Sequence, residues 1–153
     1  MRLTLRIKVP HLAVRSLFAE TTPQGATLCC KHLEKGFEMA DLQAAAKRVA
    51  RFREVMAQRG YDAVVLRHNP DLRWLTDAER TFDFEQAHTA FITQDELFMH
   101  TDSRYYNTFL ERLGADSPWK FDQEVTTPTE WVAAHIAEAR ARVVAIEDTV
   151  DLA

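Results

Sequence analysis

Five residues within one stretch, Asp83, Glu85, His88, His100 and Asp102, offer the carboxylates and imidazoles that hold divalent cations. They would meet if the chain folded back between His88 and His100. Their spacing matches no recognised ligand pattern, and a solvated acidic rim is the plainer account. Asp102, Arg104 and Tyr105 sit where a strand hands over to a helix, the point from which side chains of an α/β sheet project into a crevice. There they would contact a ligand or partner. The competing account has Asp102 capping the helix and Arg104 pairing with a nearby carboxylate. Asn69 and Arg73 follow another strand and belong to the same class of edge residue. Trp74, Trp119 and Trp131 read as core or interface anchors.

Other chemistries lack the residues they need. Ser16, Ser103 and Ser117 lie outside any strand-to-helix elbow of the G-x-S-x-G kind, so covalent catalysis has no support. Gly25, Gly36, Gly60 and Gly114 are too widely spaced to wrap a phosphate. Cys29 and Cys30 are adjacent, which suits neither a core disulfide nor a CxxC metal pair. The net charge of −4 is unevenly spread. Residues 1–38 carry six Lys/Arg against three Glu, a balance of +3, and residues 39–153 carry thirteen against twenty, a balance of −7. So acidic a body disfavours nucleic acid and anionic lipid. There is no apolar run long enough for a secretory signal or a membrane span, and a cytoplasmic location is expected.

These residues must be placed by an ordinary domain, for which 153 residues at 46% hydrophobic content suffice without disulfides. Leu42, Ala45, Val49, Phe52 and Met56 recur at helical spacing, and Gly60 follows where a helix ends left-handed. Asp62 to Leu66 is a buried strand, the Asn69-Pro70 step breaks it, and Leu72, Trp74 and Leu75 indicate a short helix. Thr89–Thr93 and Glu96–His100 flank Gln94-Asp95 as a hairpin. Thr101 or Asp102 caps a helix with Tyr106, Phe109, Leu110 and Leu113 on one face, closed by Gly114. Thr127-Pro128-Thr129-Glu130 is a capping box opening a helix with a stripe of Val132, Ile136 and Ala139, and Arg140 and Arg142 sit at its negative end. Val143–Ile146 is the final strand. The order α-β-α-β-β-α-β-α-β predicts an α/β fold, a mixed β-sheet flanked by helices on both faces.

Residues 1–38 are set apart as a disordered or non-native leader before a domain over 39–153. Their basic, acid-poor start suits a transit-type presequence or a plain tail. The favoured reading places the natural start at Met39, with Glu34-Lys35-Gly36 a translated ribosome-binding stretch.

The succession RVARFREVMAQRGYDAVVL, NPDLRWLTD, AFIT, LFMHTDSRY and VVAIED resembles the creatinase/prolidase N-terminal domain that precedes the catalytic domain of Xaa-Pro aminopeptidases and dipeptidases. The likeness runs from about Ala46 to Asp148. It implies a non-catalytic domain that shapes the substrate cleft and mediates oligomerisation, with a homodimer expected. It also implies a proline-containing peptide substrate and two divalent metals, commonly manganese, in a C-terminal catalytic domain absent from this chain. No catalytic, metal or cofactor residue is therefore expected here. By motif match the contact candidates are Asn69, Arg73, Trp74, Asp102, Arg104 and Tyr105. Related proteins usually have Gly after the Leu-Thr pair, where this chain has Asp77 and then an acidic and aromatic stretch to Glu85. The alternative is a self-standing binding or scaffold module of the same fold without peptidase activity. Whether the gene continues past Ala153 separates the two.

Overall fold

A computed structural model describes the backbone of residues 8–9 and, with side chains, residues 40–78, 81–82, 85–122 and 126–147. In chain order the elements are β1 (Lys8–Val9), α1 (Leu42–Arg59), β2 (Ala63–Leu66), α2 (Asn69–Thr76), β3 (His88–Thr93), β4 (Leu97–Thr101), α3 (Ser103–Leu113), β5 (Trp119–Asp122), α4 (Pro128–Glu138) and β6 (Val144–Glu147). From α1 onward this is the expected order. β1 lies within the stretch set apart as a leader, and pairs in parallel with β6, Lys8 opposite Ile146 and Val9 opposite Glu147. The rest of that stretch is outside the described residues.

Local signals account for the ends of the helices. The Asp41 carboxylate accepts the N–H groups of Gln43 and Ala44 at the start of α1, and Gly60 ends it at φ 69°, a conformation that costs glycine nothing. The capping box of α4 is complete: Thr127 Oγ1 accepts from the Glu130 N–H, and Glu130 accepts from the Thr127 N–H. α4 stops at Glu138, so Ala139 is exposed rather than part of the buried stripe, and Arg140 takes a positive φ of 51°.

The six strands lie in the order β1-β6-β2-β3-β4-β5. Only β3 is antiparallel to its neighbours, through β2 and through the hairpin with β4. β6 pairs in parallel with β2, and β5 with β4. Five strands thus end on one edge of the sheet. One face is covered by α1, α2 and α3 through Val49, Phe52, Leu72, Leu75, Phe109 and Leu113. The other is covered by α4 through Trp131, Val132 and Ile136. β2, sandwiched between them, is buried at all four positions, which explains its unbroken apolar run. Tyr106 is half-buried and Leu110 is 43% exposed, so the α3 stripe is narrower than its four-residue pattern implies.

Candidate functional site at the carboxyl edge of the sheet

The carboxyl ends of β2, β4 and β6 and the start of β3 share this edge, and the sequence candidates gather there. Leaving β2, the chain passes Arg67 and His68 and enters α2 at Asn69, with Pro70 in the first turn where its missing N–H is harmless. Leaving β4, it enters α3 through Asp102, whose Oδ1 accepts the Arg104 N–H at 2.9 Å.

Between these junctions lie Phe82, Glu85 and Gln86, described residues of the connection from α2 to β3, and side chains from both junctions hold them. Asn69 Nδ2 donates to the Glu85 carbonyl at 2.9 Å, Arg73 Nη2 to the Phe82 carbonyl at 2.8 Å, and Arg67 Nη2 to the Gln86 carbonyl at 2.9 Å. Arg104 Nη2 donates to Glu85 Oε2 at 3.0 Å while Arg104 Nε donates to Asp102 Oδ1 at 3.1 Å. The Tyr105 hydroxyl also donates to Glu85 Oε2, at 3.4 Å, and the Arg104 guanidinium lies 5.4 Å from the Tyr105 ring centre. Asp102 and Glu85 both hold the guanidinium above its usual range, and Arg104 holds the Asp102 carboxyl below its own. Arg104 is solvent-exposed, so this lattice of charge orders the surface more than it stabilises the fold.

Five of the six candidates therefore meet on one surface: Asn69, Arg73, Asp102, Arg104 and Tyr105. Trp74 turns away toward α1, where the Arg48 guanidinium lies 5.5 Å from its ring centre. The acid-and-histidine group from the hairpin does not come together. His88 is fully buried, bonded through Nδ1 to Thr101 Oγ1 at 2.8 Å and ringed by Phe82, Tyr105 and Phe109. His100 stacks on Trp131 on the opposite sheet face. Strand alternation separates these two histidines, and Asp83 lies outside the described residues.

Sequence reasoning missed His68, Asp71 and Glu147, whose ligand atoms lie within 4.8 Å of one another. Glu147 is 2% exposed, and its Oε2 accepts the N–H groups of Arg67 and His68 at 2.8 and 2.9 Å. Burial pushes its carboxyl up, as does nearby Asp71, whereas the two N–H donors and His68 pull it down. An acid placed directly after the apolar run Val143–Ile146, where the strand continues, was the available signal.

A family model of the creatinase/prolidase N-terminal domain matches residues 48–152. The chain belongs to that family. Among solved structures, the Xaa-Pro aminopeptidase of Streptococcus thermophilus is similar at 20% identity and a TM-score of 0.59, over 71% of this chain and 77% of that one. An Xaa-Pro dipeptidase from Bacillus anthracis gives 19% and 0.58, over 70% of this chain but 28% of that one. The N-terminal domain of a cytoplasmic peptidase from Mycobacterium tuberculosis gives 18% and 0.53, over 68% and 75%. These likenesses establish a shared fold, which for this creatinase/prolidase N-terminal domain is the mixed sheet with helices on both faces described above. No curated protein sequence is significantly similar to it. No helix among the described residues is long and apolar enough to cross a membrane.

Proposed function

We propose that this chain is the non-catalytic N-terminal domain of a cytoplasmic, metal-dependent Xaa-Pro peptidase, forming one wall of its substrate cleft and joining subunits into a homodimer. The observation that carries this reading is the convergence of Asn69, Arg73, Arg104 and Tyr105 on the segment before β3. Four tethers from two strand-to-helix junctions fix Phe82 and Glu85 at the edge where α/β sheets meet ligands, as parts of that wall. Its exposed guanidinium has the geometry to take up a peptide carboxylate in exchange for Glu85.

The two divalent metals, manganese in the usual case, require ligands from a catalytic domain. The hydrolytic step is assigned to that catalytic domain. In the full-length enzyme, Arg104→Ala is expected to raise KM for Xaa-Pro peptides roughly tenfold, the worth of one charged hydrogen bond, with kcat nearly unchanged. Unaltered KM would remove Arg104 from the substrate wall. Sedimentation of the same enzyme tests the dimer, and a monomer at working concentration would reject that part.

A further inference from the structure

β2 and β6 are parallel neighbours in register, Val65 opposite Ile146, so the chain leaving β2 passes directly beside Glu147 at the end of β6. His68 lies in that exit and Asp71 in the first turn of α2. His68 Nδ1 is 2.9 Å from Asp71 Oδ2 and 3.9 Å from Glu147 Oε1. Both carboxylates are buried, Asp71 to 8% and Glu147 to 2% exposure.

The two oxygens of Glu147 are treated differently. Oε2 accepts two backbone N–H groups, whereas Oε1, on the His68 side, is buried without a hydrogen-bond partner among the described residues. A buried carboxylate oxygen left unbonded beside a second buried carboxylate is unfavourable. A cation at the centre of the three groups removes both penalties.

We propose that His68 Nδ1, Asp71 Oδ2 and Glu147 Oε1 form a mononuclear site for a divalent transition metal of the zinc class. Ligands about 2.0–2.2 Å from one tetrahedral ion stand about 3.3–3.6 Å apart. The His68 separations of 2.9 and 3.9 Å bracket that range and all three ligand atoms lie within 4.8 Å of one another, so side-chain adjustments of about an ångström close the site. One imidazole nitrogen with two carboxylate oxygens suits zinc-like ions, whereas calcium demands six to eight oxygens. The His68 side chain is 21% exposed, so that edge of the group lies near the surface rather than in the core. The backbone N–H groups on Oε2 orient the Glu147 carboxylate as outer partners orient metal ligands elsewhere. The site does not depend on the peptidase reading.

The rival arrangement is an imidazolium clamped between the two carboxylates, with no metal. The test uses the full chain carrying Cys29→Ser and Cys30→Ser, which removes adventitious thiol ligands. After chelator treatment it is titrated with zinc alone by calorimetry, and with cobalt(II) by visible absorption. One equivalent per chain is expected, with a thermal midpoint that rises with free zinc. Binding should vanish in Glu147→Gln and weaken at least roughly tenfold in Asp71→Asn. If Glu147→Gln fails to fold by circular dichroism, Asp71→Asn and His68→Ala decide alone. Absence of stoichiometric uptake, or equal uptake in the variants, overturns the site. A zinc-insensitive midpoint with a protonated His68 ring by NMR would establish the clamp instead.

Discussion

Asp77 closes α2 at φ 58°, a conformation glycine adopts freely and other residues adopt at a cost. Its carboxylate repays the strain: Oδ2 accepts the Asp41 N–H at 2.8 Å, and Oδ1 takes the Arg48 guanidinium at 2.6 Å. These two contacts offset the cost of a residue other than glycine at this position. Asp77→Ala keeps the strain and loses both contacts, and should cost about 1–2 kcal/mol in urea denaturation. Asp77→Gly relieves the strain and should cost less. Equal losses would show that the contacts alone matter. Asp62 supplies a pH-dependent counterpart. Its carboxylate accepts the Val143 and Arg142 N–H groups at 2.8 and 2.7 Å, and these hold it below its usual range. A carboxyl lowered on folding contributes stability above its unfolded pKa, and that contribution disappears as pH falls through the folded value. The advantage of the native chain over Asp62→Asn should therefore be full at pH 6–7 and shrink below about pH 4. A gap that stays constant with pH would rule out ionisation as its source.

Helices were legible where their signals are local. Gly60, Asp102 and the Thr127–Glu130 box all sit at the ends anticipated from sequence, because a cap needs only neighbours three or four residues away. The width of a buried stripe is different, since it depends on what lies opposite. Phe109 of α3 meets Phe82 and Phe121 at ring-centre distances of 5.0 and 5.3 Å, while Leu110, one position on, faces solvent. Phe109→Ala should cost roughly 3–5 kcal/mol, and Leu110→Ala less than about 0.5 kcal/mol. Comparable losses by denaturant titration would mean that a partner or another segment covers Leu110.

The two hydrophobic clusters share one sheet, whose strands send alternate side chains to each: Val64 and Leu66 to the α1–α3 side, Ala63 and Val65 to the α4 side. Neither helical layer can leave without exposing the strand that both cover, so the domain should unfold as one unit. Trp119 reports on the first cluster and Trp131 on the second. Variants retaining one tryptophan each, corrected for their own stability, should show coincident fluorescence and far-ultraviolet transitions. A fluorescence transition of Trp131 that precedes the circular dichroism change would make α4 a separate cooperative unit.

Taken by itself, the sequence determined the kind and order of the elements from α1 onward, most of their caps and the family succession of motifs, because these rest on propensity, period and contacts close along the chain. Only the tertiary structure decided which strands adjoin. By setting β6 between β1 and β2, it brought Glu147 against the backbone of His68, 79 residues away. It likewise turned Asn69, Arg73 and Arg104 from isolated motif letters into a common clamp on one segment, and sent His88 and His100 to opposite faces. Such convergence depends on strand adjacency and register, which no local pattern encodes, since one residue of slip would turn every side chain of a strand to the other face.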